Sequence, residues 1–417
     1  MKDLFKGSFT ILLFKLFGAG LILIINLIIS NYFGVKQLGE YNLIFSLLQM
    51  LSIISILGMD VFVIKTIPRL DQNTAKEGGL ITKIFSTLIL TSLVIAITFY
   101  VSTPFIESLI FRNSGEVRKY LKLLPFLIFP VSFNTLVPEI LRAFNNLYMF
   151  SFLKNVAQSF SILLFMIILY FTGIQDSITA LYLGYILSFI FTIAVIFLFF
   201  KNRNISLISY DKYHESIIKH SSPMLLGTSI IFVISNIDSF MISYFKGEYS
   251  VGIYSACLKI GLIITFILTS VTSYIVPSIA KSYHEKNYSN VKSLYNKATL
   301  LIIFLTIPIV LIIFIFGEEI LKLFNQELTS YSNVLYTVLL MNLSNVFFGP
   351  IIYILSIMEK QNYVNKVLFI SLVINILINW ILIPKFGVIG AAIATIISTL
   401  FWKITLYLKL KRSLNSL

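Results

Sequence analysis

Nine ionisable side chains fall inside long apolar runs of this chain: Lys15, Asp60, Lys83, Lys122, Glu139, Lys154, Asp238, Lys259 and Lys403. A charge placed in hydrocarbon is costly, so such a residue is first of all a candidate for function. Lysines in a partly dry cleft attract phosphate strongly, because Coulomb attraction is less damped there than in water. A carboxylate in the same setting holds a lysine or exchanges a proton or sodium. Lys83, Lys122 and Lys154 lie within about a turn of the end of their runs, where a four-carbon stem snorkels to water. Lys403 does so with more strain. Glu139 and Arg142 are spaced i,i+3 and pair on one helix face. Lys15, Asp60, Asp238 and Lys259 are the better-placed charges.

The elements that position them are membrane-spanning helices. Hydrophobic residues make up 58% of the 417 positions, charged residues 12%, and the mean hydropathy is +0.92. A soluble domain carries about 25% charged residues to keep its surface wet. Crossing the hydrocarbon takes roughly 20 apolar residues. On that measure spans are expected near 9–33, 41–64, 80–103, 119–141, 151–172, 178–200, 222–245, 251–276, 298–316, 332–357, 364–383 and 389–409. The fold class is therefore all-α integral membrane, with about twelve transmembrane helices and no soluble domain. The first run follows Lys2 and Lys6 but is too long for a signal peptide and lacks a small-x-small cleavage site, so it is read as a retained span. Cys257 is the single cysteine, and His214, His220 and His284 sit in polar loops, so no disulfide or clustered metal site is expected.

With both termini in the cytoplasm, the inner segments hold 19 Lys and Arg residues and the outer loops hold six (Lys36, Arg112, Arg118, Lys246, Lys322 and Lys385). That bias fits the positive-inside rule and an even number of spans. It also places the net charge of +14 on one membrane face, where it meets anionic lipid head groups rather than nucleic acid. At 1.5 Å per residue, Lys15 and Asp60 lie roughly 9 Å and 6–7 Å inside the cytoplasmic ends of the first and second spans. Asp238 and Lys259 lie roughly 10–12 Å in from the outer face on the seventh and eighth. Each half thus offers an acid and a base at similar depth, either as a structural ion pair or as part of a cleft wall. A spacing of eleven residues, about three full turns, puts Lys15 with Asn26, Gln49 with Asp60, and Lys259 with Ser270 on shared faces.

The chain resembles itself at an offset near 212 residues. Tyr32-Phe33 and Leu38-Gly39-Glu40-Tyr41 return as Tyr244-Phe245 and Val251-Gly252-Ile253-Tyr254, with one residue inserted. Pro68 answers to Pro277, Pro138 to Pro350, and Asn26 to Asp238. Halves with an even number of spans are parallel repeats about an axis along the membrane normal. Two six-helix lobes, residues 1–210 and 211–417, are expected to meet at a central cleft holding Lys15, Asn26, Asp60, Asp238 and Lys259.

The same residues carry a family resemblance. Leu38-Gly39-Glu40-Tyr41-Asn42-Leu43, Leu57-Gly58-Met59-Asp60 and Pro68-Arg69 resemble the start of polysaccharide-repeat-unit (Wzx-type) flippases. Asp238, Val251-Gly252-Ile253-Tyr254 and Pro277 are similar to a later stretch of the same family. The run from Ile383-Pro384-Lys385-Phe386-Gly387 through Val388-Ile389-Gly390-Ala391-Ala392-Ile393-Ala394-Thr395 resembles its last loop and twelfth helix. The resemblance spans essentially the whole chain and places it in the multidrug, oligosaccharidyl-lipid and polysaccharide exporter superfamily. It implies alternating access and movement of undecaprenyl-pyrophosphate-linked glycan from the cytoplasmic to the outer leaflet of a bacterial inner membrane. It also implies a monomer without cofactor, working beside a polymerase and glycosyltransferases on capsule, O-antigen or related glycan. The alternative within the same fold is an ion-coupled drug or metabolite antiporter using Asp60 or Asp238. The outer loops are short, lack His and show no Asp-x-Asp, so an enzyme is not expected. No G-x-x-x-x-G-K-[ST] run occurs, so no nucleotide engine is expected in the chain either.

Overall fold

In hydrocarbon every backbone amide must find its partner within the chain, so long apolar runs become helices. The computed structural model describes residues 2–70, 74–111, 115–174, 176–205 and 216–415, and among them no strand occurs. The long helices are α1 (Lys2–Ile28), α2 (Val35–Ile56), α3 (Thr74–Ile110), α4 (Gly115–Ala143), α5 (Leu147–Thr172), α6 (Ser177–Asn202), α7 (Ile217–Lys246), α8 (Glu248–His284), α9 (Tyr288–Ile315), α10 (Gln326–Ile357) and α11 (Gln361–Asn415). Large apolar side chains stay exposed along them, including Val101, Phe126, Phe171, Tyr274 and Phe304. Such a surface suits lipid and not water.

These are eleven membrane-length helices among the described residues, and the eleventh is two. Gly387 sits at φ 59°, ψ −135°, a conformation only glycine adopts readily, and α11 breaks there. Its arms, 361–386 and 388–415, fold back on each other. Ser371 donates to the Ser398 carbonyl at 2.9 Å and Asn375 to Thr395 Oγ1 at 3.0 Å. As one index rises the other falls, which is an antiparallel hairpin, so the passes among the described residues number twelve. The break frees the Pro384 carbonyl, and Lys246 Nζ donates to it at 3.0 Å.

Several span boundaries differ from the expected ones. The second span is not continuous over 41–64. It begins at Val35, ends at Ile56, and a turn through Leu57 (φ 51°) and Gly58 (φ 74°) leads into a separate helix, Met59–Thr66. Backbone of α7 lies against that turn: a Cβ on Gly58 would meet the Ser221 carbonyl oxygen at 2.5 Å. α3 and α8 each run 37 residues, longer than the core of a bilayer demands, so they project beyond it. Pro138 lies within an unbroken α4, whereas Pro350 marks a break in α10 after Gly349 at φ 52°.

The chain divides into two compact units, Met1–Ile29 with Glu40–Phe232, and Ser30–Gly39 with Val233–Leu417. The 210/211 division, with Lys212 and His214, lies outside the described residues, as does Arg112. In the first unit the short helix Met59–Thr66 buries Met59, Phe62 and Val63 against Leu80, Ile84, Leu136 and Ile140 of α3 and α4. This i, i+3, i+4 stripe turns Asp60 away from the core.

The internal repeat has a structural counterpart. Tyr32–Phe33 and Tyr244–Phe245 are both edge-on ring pairs, at 5.0 and 4.8 Å. Gly34 and Gly247, both at positive φ, start α2 and α8. Within the second unit a Cβ on Gly39 would sit 1.9 Å from the Glu248 carbonyl oxygen, and one on Gly252 2.0 Å from that of Val35. Each glycine therefore seats the first turn of the other helix at backbone contact, a reciprocal use of small residues in membrane packing. The residue inserted in the second copy is Lys246, the donor to the α11 break.

Candidate functional site

Asp238 is the centre of a polar cage in the second unit. It lies on α7, is 4% exposed, and accepts hydrogen bonds from Tyr254 Oη of α8 (2.9 Å), Asn379 Nδ2 (2.7 Å) and Thr395 Oγ1. Asn375 lies in the same shell, donating to Thr395 and Ser398 and accepting from Asn379. Ser371, Asn375 and Asn379 recur every four residues, so one face of the first α11 arm is polar. No cation pairs with Asp238 among the described residues. Asn379 Oδ1, buried beside it, has no donor. Chemically this is a buried carboxylate held by three neutral donors, with one unpaired amide oxygen beside it.

The ion pair considered for Asp238 and Lys259 is not formed among the described residues. Lys259 sits half-buried on α8 with no counter-charge among them. Its expected facemate Ser270 lies on the same unbroken helix, its hydroxyl buried without a partner.

The first unit holds the second cluster. Glu139 on α4 is buried and paired with Arg142 (Nη1–Oε2, 3.4 Å) and with Lys154 of α5. Lys154 lies in a π-helical turn, Leu153–Ala157. α1 is seated on that turn, where a Cβ on Gly18 would lie 2.0 Å from the Asn155 carbonyl oxygen. The contact brings Lys15, half-buried one turn earlier, into electrostatic range of Lys154. Asp60 is half-buried and senses both Glu139 and Lys154, but forms no ion pair among the described residues. The structure thus gathers Lys15 and Asp60 with Glu139, Arg142 and Lys154. The acid–base contact that forms is made by the residues expected to be incidental.

Three placements differ from the expected ones. Asn26 is 1% exposed and points at α2: its Nδ2 donates to Ile22 O at 2.7 Å and its Oδ1 accepts from Asn42 at 3.2 Å. It closes helix packing, as Asp238 does with Tyr254 over the same separation of 16 residues. Gln49 and Asp60 do not share a face, because the helix breaks between them; Gln49 donates to Tyr185 Oη at 2.9 Å. Lys403 does not snorkel either. It is 4% exposed and donates to the Asn345 carbonyl (3.1 Å) just before α10 breaks, where a cation complements the negative end of a helix. Asn375 and Asn379 went unread in the sequence, although two amides at i,i+4 in an apolar run were a visible signal.

Comparison with curated proteins finds no match. Among solved structures, the chain is similar to a multidrug resistance MATE family transporter of the MOP superfamily in an inward-facing conformation (TM-score 0.78, 19% identity, 95% of this chain and 94% of that one). It is also similar to the lipid II flippase MurJ in an inward closed conformation (0.76, 19%, 96% and 87%), and to a MOP superfamily transporter from Pyrococcus furiosus (0.70, 17%, 99% and 96%). At such identities the likeness establishes the fold, two lobes of membrane helices. A MatE family model matches residues 223–381. A second model, described as polysaccharide biosynthesis protein, matches residues 4–283, two thirds of the chain. The chain is therefore a member of the polysaccharide biosynthesis protein family, a multi-pass membrane protein with the MATE and MurJ fold.

Proposed function

We propose that this protein is a flippase that carries undecaprenyl-pyrophosphate-linked oligosaccharide repeat units from the cytoplasmic to the outer leaflet of a bacterial inner membrane by alternating access. The observation that carries this reading is the family match over residues 4–283, in a chain whose fold is shared with a lipid II flippase. A pyrophosphate needs cations in a partly desolvated setting. Lys15, Arg142 and Lys154 in the first unit, and Lys259 in the second, are of the right type. The prenyl tail stays in lipid, so only the head group needs a polar path. Partners would be the glycosyltransferases that supply the substrate and the polymerase that consumes it. The test is a deletion strain, which should accumulate prenyl-linked oligosaccharide in the inner leaflet and recover on complementation. Normal surface glycan without the protein would refute the assignment.

A second reading rests on Asp238. A buried carboxylate with neutral donors and an orphaned amide oxygen suits reversible uptake of a proton or monovalent cation, the chemistry of an ion-coupled antiporter of the same fold. Transport into vesicles driven by an imposed ion gradient, and lost in Asp238→Asn, would favour it. Transport indifferent to every imposed gradient would oppose it.

A further inference from the structure

We propose that Glu139 is a built-in counter-ion, which Arg142 and Lys154 exchange for the pyrophosphate of a lipid-borne substrate at the α4–α5 end of the first unit. The inference rests on the flippase reading and deepens it.

The geometry differs from an ordinary surface salt bridge, in which acid and bases are exposed alike. Here the carboxylate is 6% exposed while Arg142 and Lys154 are 49% and 46% exposed. Both carboxylate oxygens are engaged, one by each base. Both cations also lie over one ring, Phe150, at 5.2 and 5.4 Å from its centre, which holds them side by side. Guanidinium offers five donors and ammonium three, so most of their capacity remains for an outside acceptor. Neither has another hydrogen bond or ion pair among the described residues. With Lys15 and Asp60 the group carries a net charge of +1, too little to hold a pyrophosphate tightly while Glu139 is ionised. The depth fits a lipid phosphate: Glu139 is four residues from the end of α4 and Lys154 seven from the start of α5, roughly 6 and 10 Å. A lipid head group would reach the fork from the membrane interface.

Exchange has a consequence that simple scaffolding lacks. Glu139 repels the phosphate that its own partners attract, so it lowers affinity and favours release. Removing its charge should tighten binding and slow transport. At about 6 Å and an intermediate dielectric, one repulsion removed corresponds to at least a tenfold gain in affinity after allowance for screening.

The experiment uses full-length protein in nanodiscs and a fluorescent polyprenyl pyrophosphate, with phosphatidylglycerol as competitor and wild-type flipping of a prenyl-pyrophosphate oligosaccharide measured in parallel. Glu139→Gln should lower the Kd for the pyrophosphate about tenfold and lower the flipping rate, Glu139→Asp should restore both, and Lys154→Met should raise Kd at least tenfold. The half-exposed Lys154 keeps the test decisive should Glu139→Gln fold poorly. A wild type that flips its substrate while folded Glu139→Gln binds no tighter would overturn the exchange and leave the flippase reading standing. Displacement by equimolar phosphatidylglycerol would make this a general lipid-phosphate site and also overturn it. A wild type that neither binds nor flips would remove both.

Discussion

Replacing Asp238 with alanine tests whether the polar cage is as closed as its geometry indicates. The substitution removes the acceptor of three hydrogen bonds at once, those from Tyr254 Oη, Asn379 Nδ2 and Thr395 Oγ1. Hydrogen bonds between membrane helices average about 0.6 kcal/mol and reach about 1.7, so three together are worth about 2 to 5 kcal/mol. Relief from burying a carboxylate offsets part of this, which places the net loss near the lower bound, about 2 kcal/mol. Asp238→Asn keeps one oxygen and should lose about half as much. The molecule carries its own reporter, since its two tryptophans, Trp380 and Trp402, lie on the two arms of α11 that build the cage. Unfolding by SDS titration from mixed micelles, followed by tryptophan fluorescence, should show an earlier midpoint for Asp238→Ala. A double-mutant cycle with Tyr254→Phe should return a coupling of about 0.6 to 1.7 kcal/mol. An unchanged or raised midpoint with zero coupling would refute the reasoning.

Other outcomes follow from the same structure. Lys15→Ala and Lys259→Ala should each abolish glycan export at near-normal protein level, read by surface glycan staining and immunoblot; full export by both would eliminate the lysine-based mechanism. Lys403→Met should match or exceed the wild-type melting temperature, because a hydrogen bond to Asn345 O and a contact with the Trp402 ring do not offset a buried cation without a carboxylate; a fall of several degrees would show otherwise. Gly252→Ala should lower stability by about 1–3 kcal/mol through overpacking, since its Cβ would lie 2.0 Å from Val35 O and ordinary contact begins at 3.4 Å. Gly39→Ala should behave alike in the same SDS titration, and neutrality of both would contradict the backbone contact.

Much of the architecture was legible in the residues because length and hydropathy dictate a spanning helix with little help from tertiary context. The first span, expected at 9–33, lies within a helix that starts at Lys2 and continues through a π turn to Phe33. The repeat at 212 was legible from Tyr-Phe and Gly pairs that turn out to perform the same contacts twice. What periodicity cannot supply is where a helix stops inside an apolar run. Leu57-Gly58 reads as span, yet the α7 backbone against Gly58 requires a turn there. The same limit hid the cage around Asp238. Its acceptor was visible as a charge in an apolar run, but two of its three donors lie 141 and 157 positions away, which only tertiary packing brings together. By sequence Lys154 reads as a snorkelling end residue and Glu139 as a partner for Arg142, and only the second contact is visible from spacing. The π turn and the seat of Gly18 on Asn155 make that end a charged cluster, and neither leaves a trace in hydropathy.

The most direct test of the account is flipping itself. Purified protein reconstituted into proteoliposomes, with a fluorescent prenyl-pyrophosphate oligosaccharide in both leaflets, can be assayed by quenching the outer leaflet with a membrane-impermeant reductant. The account predicts that quenching proceeds from about half to near completion with active protein, and stops at half with empty vesicles or with Lys15→Ala. Quenching that stops at half with wild-type protein under every imposed ion gradient would contradict it.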